Sequence, residues 1–260
     1  MAQPLPPVVF PEDWDAKPAS VCAGFTTRSG GYSQGPFAAA DGQGGLNLGD
    51  HVGDDVSHVD QNRRELFAAI HHDVIFLSQV HGILVADASK LIGNTQADAV
   101  ISDQPGKVCA VLTADCLPVL FSDADGKVVG AAHAGWRGLA GGVLEATAEA
   151  MRAKGAGEIV AWLGPAIGPD RFEVGQEVVQ IFTDIDNDAL TCFVKVQNSK
   201  EGKYLADIFG LAKRRLTACG VRQVSGGGLC TVSDAQNFYS YRRDHQTGRM
   251  ASFIFRRPEL

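Results

Sequence analysis

The sequence predicts an α/β or α+β sandwich containing antiparallel hairpins. Short β-branched runs alternate with segments of helical period. Asp125-Gly126 stands between two apolar runs as a hairpin turn. Two helical segments stop against a glycine, Gly155 and Gly220, where a left-handed cap belongs.

Taken in order, Val21 to Thr27 reads as a strand, and Ser29 to Asp54 as a long Gly-rich loop of the kind that carries function. Asp55 to His71 reads as a helix, because Val56, Val59, Leu66, Phe67 and Ile70 recur near a 3.6-residue period. His71-His72 at its end suits the negative pole of the helix. Val74 to Val80 and Ile83 to Asp87 read as strands around His81-Gly82, followed by strands at Ala99 to Ser102 and Val108 to Leu112. Val119 to Ser122 and Lys127 to Ala132 form the hairpin. Gly138 to Lys154 reads as a helix and Ile159 to Leu163 as a strand. Glu177 to Phe182 and Tyr204 to Ala218 are helical, and Val221 to Ser225 and Ala251 to Arg256 close the fold as strands.

Composition narrows the function class. Hydrophobic residues are 45% and charged residues 20%, the balance of a globular chain rather than a disordered one. The net charge of -7 argues against a basic nucleic-acid surface. No apolar run approaches the roughly 18 residues of a membrane span. The Pro-rich Met1 to Pro11 lacks the basic and apolar regions of a signal peptide, so a cytoplasmic, non-membrane protein is expected. No repeat or linker interrupts residues 1–260, which are expected to form one domain and a monomer. The six cysteines then read as reduced thiols, and most of them as small buried hydrophobes.

Three segments carry candidate chemistry: Gln79-Val80-His81-Gly82, Thr113-Ala114-Asp115-Cys116-Leu117-Pro118 and Ala132-His133-Ala134-Gly135-Trp136-Arg137-Gly138. Each places a metal-competent side chain at the end of an expected strand. Two imidazoles and one thiolate match a catalytic zinc site with three protein ligands and an open position. The spacing is not that of a zinc finger. Taken alone, such residues are more often structural. His58 and His245 are read as non-ligands. Gly42 to Asn47 lacks the last glycine of a dinucleotide fingerprint and is rejected as one.

These segments resemble the YfiH family, also called laccase-domain or multicopper polyphenol oxidase-like proteins. The resemblance spans nearly the whole chain. It runs through Thr27 to Gly31, Leu46 to Gly49, His51 to Asp55, Asn62-Arg63, Gln79 to Gly82, Ala97-Asp98-Ala99, Ala114 to Pro118, His133 to Gly138, Leu163 to Pro165, Phe172 to Gly175 and Tyr239 to Asp244. It implies a four-layer α/β/β/α sandwich similar to that of the cytotoxic necrotizing factor hydrolases. It implies that His81, Cys116 and His133 match zinc ligands, with copper as the alternative metal. The implied reaction is phosphorolysis of a purine nucleoside (adenosine, inosine, guanosine or methylthioadenosine) to base and pentose 1-phosphate, with adenosine deamination as a second activity.

Phosphate calls for arginine forks. Arg137, opening an expected helix, is the first candidate, and Arg28, Arg63 and Arg242 follow; each has a surface ion pair as its plain alternative. Glycines near Arg28 and at Gly44 would let backbone amides approach an anion. In deamination, zinc would activate a water while Asp115 or Glu173 moves protons, although Asp115 reads better as the acceptor that orients His81 or His133. Asn47 could bind ribose or base, or simply shape a turn. Trp136 and Phe25 could stack on the purine, or be core. Two other classes compete. A copper polyphenol oxidase needs more histidine ligands than the seven histidines readily supply. A thiol hydrolase, with Cys116 as nucleophile and His133 as base, could edit cell-wall peptides.

Overall fold

The structure, a computed structural model, describes residues 5–197 and 202–258. In chain order its elements are β1 (Val8–Val9), β2 (Val21–Thr26), β3 (Ser29–Ser33), α1 (Val56–Ile70), β4 (Val85–Asp87), β5 (Ala99–Ser102), β6 (Cys109–Thr113), β7 (Leu117–Asp123) and β8 (Val129–Ala134). They continue with α2 (Trp136–Gly141), α3 (Val143–Ala153), β9 (Ile159–Leu163), β10 (Glu173–Val174), α4 (Gln176–Ile185), β11 (Phe193–Lys195), β12 (Tyr204–Ala206), α5 (Ile208–Ala218), β13 (Gln223–Gly226), α6 (Tyr241–Asp244) and β14 (Met250–Arg256). One sheet runs β1-β2-β14-β6, a second β13-β9-β7-β8-β5-β4, and a small third sheet β10-β12-β11.

Period-two alternation shows how the layers stack, because successive strand side chains point to opposite faces. In β2, Val21, Ala23 and Phe25 join Val111 of β6 and Ile254 of β14 in a core shared with Leu120, Val129, Ala131, Val160 and Trp162 of the six-stranded sheet. The ring of Phe25 stacks on Trp162 at 5.7 Å across that boundary. The other faces of the same strands point outward. Cys22, Ala110, Leu112, Phe253 and Phe255 pack on Leu66 and Ile70 of α1. Val119, Phe121, Ala132 and Ala161 pack on α3, α4 and α5 through Leu144, Met151, Val178, Phe182, Leu211 and Leu216. The order is helix, sheet, sheet, helices, as the resemblance implies.

The structure corrects several sequence readings. The stretch from Ser29 to Asp54 is not bare loop: β3 lies within it, and buried Asn62 of α1 holds it together. The Asn62 amide donates to Ser33 Oγ, Gly45 O and Asn47 O, and accepts from the N–H of Tyr32 at 2.8 Å. His71 is the left-handed cap of α1, and His72 packs on Phe255. Val74 to Val80 forms no strand. Instead, the Gln79 amide side chain donates to Leu112 O and accepts from Leu112 N, so a side chain takes the place of a neighbouring strand beside β6. The expected Gly138 to Lys154 helix is two helices broken at Gly142, whose φ of 103° is left-handed. Tyr204 to Ala218 begins as strand β12. Asp207 then caps α5 by accepting from Gly210 N.

Candidate metal centre

The chain passes directly from β6 in one sheet to β7 in the other. Cys116 sits in that crossing. The preceding Asp115 has φ 92°, a region that side chains disfavour. Its carboxylate accepts Thr231 Oγ1–H and the N–H of Arg242, each at 2.6 Å, which ties the strained turn to α6. His133 lies on β8 opposite Pro118, with the parity of Val129 and Ala131, so it points between the sheets, nearly buried. His81 is exposed and lies on no strand end. It occupies a tight turn with φ 61°.

These three residues come together from separate elements. Their donor atoms all lie within 4.8 Å of one another, and the His81 and His133 rings meet edge-on at 4.7 Å. Cys116 Sγ is 3.7 Å from His81 Nε2. Fully buried Asp98 accepts Nδ1–H of His133 at 2.8 Å, which leaves Nε2 for the cluster. Burial pushes the Cys116 thiol up, but the His133 and His81 imidazoles outweigh it and hold it down to about 6. Burial lowers His133, yet Asp98 and Cys116 more than reverse this and raise it to about 9.

The donor chemistry fits a metal ion. Nitrogen, sulfur and nitrogen suit zinc or copper, and a carboxylate behind a histidine is the usual outer support of such sites. Gly135 also fits: a Cβ there would stand 2.9 Å from His81 Cδ2 and 3.0 Å from Cys116 Sγ, so only glycine lets the two ligands close.

A cavity of about 1130 Å³ opens onto the cluster. Besides the three donors, Arg63, Arg64, Arg249, Phe67, Phe76 and Tyr241 line it, with Asp50 and Asp60. Arg63 donates to Leu48 O, pairs with Asp50 at 3.1 Å and stacks over Phe76. Sequence reasoning missed Arg249. Its signal was the strand register: Met250 pairs with Thr113, which sets Arg249 beside the turn leading to Cys116. Burial lowers its pKa, while Cys116 and Asp115 oppose that shift, so it feels both charges.

The other sequence candidates do not line this cavity. Arg28 donates to Ala38 O and Ala235 O and stacks on Tyr239. Asn47 is buried; it donates to Asp54 and accepts the N–H of Arg249 at 2.8 Å, so it holds the backbone of the arginine that does line the cavity. Arg137 is exposed and stacks on its neighbour Trp136. Arg242 reaches away to the carbonyls of Arg171 and Glu173, and Glu173 itself lies exposed on β10. Asp98, not Asp115, is the carboxylate on a cluster histidine. Phe25 is core, and Trp136 packs against the helix-side core. Gly44 approaches the Gly31 carbonyl, so the loop's own backbone fills the space expected for an anion.

The profile of the multi-copper polyphenol oxidoreductase laccase family matches residues 22–257. The chain is 51% identical to a purine nucleoside phosphorylase of Pseudomonas aeruginosa, over 94% of this chain and 96% of the relative. It is 49% identical to the purine nucleoside phosphorylase YfiH of Escherichia coli K12, over 92% and 95%. Among solved structures, a Neisseria meningitidis protein of the DUF152 family superposes with a TM-score of 0.89 at 44% identity, covering 97% of this chain and 100% of that one. The YfiH protein of Bacillus licheniformis gives 0.85 at 30% identity, covering 96% and 97%. With a family match across most of its length and relatives this similar, the chain belongs to the YfiH/DUF152 family, the multi-copper polyphenol oxidoreductase laccase family of the profile.

Proposed function

We propose that the chain is a zinc-dependent purine nucleoside phosphorylase, with adenosine deamination as a second activity of the same site. The observation that carries this reading is a His–Cys–His donor set opening into a cavity that arginine and aromatic side chains line. The names of the relatives point the same way. His81, Cys116 and His133 would hold the ion, which when bound supplies Lewis-acid activation.

The chain's own residues would do the rest. Arg249 is anchored through Nη1 on the carbonyls of Thr247 and Gly248, beside the cluster, and offers a guanidinium to phosphate. Arg63 is engaged by Leu48 and Asp50, and so shapes the wall on which Phe76 is presented. Phe76 and Tyr241 supply apolar faces for a purine. The proton carriers expected for deamination do not reach the cavity, since Asp115 is held by Thr231 and Arg242 and Glu173 lies outside it. Phosphorolysis therefore stands ahead of deamination.

One observation favours a second reading. A thiol with a lowered pKa 3.7 Å from an imidazole suits a thiol hydrolase acting on an amide or ester, such as a cell-wall peptide. A polyphenol oxidase fits less well. Oxidation by several coppers needs several donor sets, and one three-donor His/Cys/His group is found among the described residues.

The deciding experiment incubates the purified protein with adenosine, with and without phosphate, alongside Cys116→Ala. Adenine and ribose 1-phosphate formed only with phosphate, and lost in the variant, support phosphorolysis. Inosine formed without phosphate moves the weight to deamination. No turnover of adenosine contradicts the nucleoside reading for that substrate and leaves the thiol hydrolase.

A further inference from the structure

The turn that carries His81 is held at its two ends, by the Gln79 side chain on Leu112 and by Leu84 O on the N–H groups of Asp98 and Ala99, but not by regular structure at His81 itself. Residues 79–84 form neither helix nor strand, His81 is exposed, and its φ of 61° is disfavoured for a side-chain residue. Behind the turn lies one buried carboxylate. Asp98 Oδ1 accepts the N–H of His81 at 2.9 Å and Nδ1–H of His133 at 2.8 Å. Asp98 Oδ2 accepts the N–H of Gly82 at 2.7 Å and of Val80 at 3.2 Å. The backbone closes the arrangement from the other side, because the N–H of His133 donates to the Asp98 carbonyl at 2.7 Å. Four donors on one carboxylate bind two separate segments, the His81 turn and β8.

We infer that Asp98 is the positioning residue of the centre: one carboxylate sets both the place of His81 and the ring orientation and tautomer of His133. This rests on the metal reading above. The carboxylate is what the geometry demands. Both oxygens face only donors, so an amide in its place would turn an NH2 group toward either the Val80 and Gly82 amides or the His81 and His133 pair. Asp98→Asn therefore cannot satisfy both segments. An outer-sphere partner of a ligating histidine is worth roughly 10- to 100-fold in metal affinity.

The test has two readouts on the full-length protein. Zinc affinity is measured by competition with a chromophoric chelator, and amide hydrogen exchange of residues 80–82 is measured in the metal-free protein. In Asp98→Asn we expect zinc affinity to fall by roughly 10- to 100-fold and amide exchange in the turn to speed up by a similar factor. Unchanged affinity together with unchanged exchange overturns the inference. If the variant does not fold, nitrogen-15 NMR of the wild-type zinc protein decides. A proton on His133 Nδ1 in a strong hydrogen bond supports it, and an Nε2–H tautomer overturns it. A wild-type chain that binds no zinc contradicts the metal reading instead, and the exchange difference still decides whether Asp98 holds the turn.

Discussion

A thiol flanked by two imidazoles has its acidity set by their charge as well as by burial. In the metal-free protein Cys116 therefore ionises near 6, while His133 keeps its proton to about 9. The sign follows: a lowered thiol pKa puts the thiolate above about 6, and the imidazolium that stabilises it persists until about 9. Alkylation of Cys116 by iodoacetamide should accordingly rise through an inflection near 6 in chelator-treated protein, and added zinc should suppress it. An inflection near the ordinary thiol value, with no zinc effect, counts against the pair. Arg249 makes the second residue-scale prediction. If it binds phosphate, Arg249→Ala removes charge-assisted hydrogen bonds of about 1.5–3 kcal/mol. The KM for phosphate should then rise roughly 10- to 100-fold while that for the nucleoside changes little. Equal effects on both substrates would mean that Arg249 supports the wall rather than the phosphate. At this scale the motif residues His81, Cys116 and His133 were legible, because their side-chain chemistry is visible without coordinates. Asp98 and Arg249 were not. The function of each comes from a pairing across the fold, Asp98 with a turn 16 to 18 residues away and Arg249 with a strand it reaches through register.

At the scale of elements, local pattern predicted what local interactions decide. Helix α1 and strands β2, β5, β7, β8, β9 and β14 fall where periodicity and the hairpin turn put them. The misses have a different physical cause. Gln79 imitates a strand with its side chain, an option that periodicity does not encode. A glycine inside a helical pattern is tolerated or breaks the helix according to its φ, and Gly142 adopts 103°. Space around Gly142 is adequate for a methyl group, with its nearest neighbour 3.5 Å away, so conformation alone sets the cost of a substitution. Gly142→Ala should lose about 1–2 kcal/mol in urea unfolding with its kinetic constants unchanged. A stabilised variant would show that the break is not required. Gly135→Ala differs, because its methyl group meets two cluster residues. It should lose zinc while keeping its unfolding free energy within roughly 1 kcal/mol of the wild type.

For the whole molecule, the site lies where the six-stranded sheet faces the other sheet. Cys116 directly precedes β7, and His133 lies on β8, the neighbouring strand of the same sheet, and points into the gap, so the β7–β8 pairing sets the distance between these two donors. Phe25 and Trp162 fill that gap away from the site. Trp162→Ala should cost roughly 3–5 kcal/mol in urea unfolding. A loss under about 1 kcal/mol would mean that the inter-sheet core is not what holds the layers. No helix among the described residues is long and apolar enough to cross a membrane. The layer order followed from resemblance rather than from residue pattern. Alternation shows that a strand has two faces, but not that both are covered.

The central claim is that His81, Cys116 and His133 form one metal centre. Metal analysis of the purified wild-type protein beside Cys116→Ala tests it most directly. The account predicts about one zinc per chain in the wild type and a large loss in the variant, with the variant still folded. Equal zinc in both proteins, or none in the wild type even after exposure to excess zinc, would contradict it.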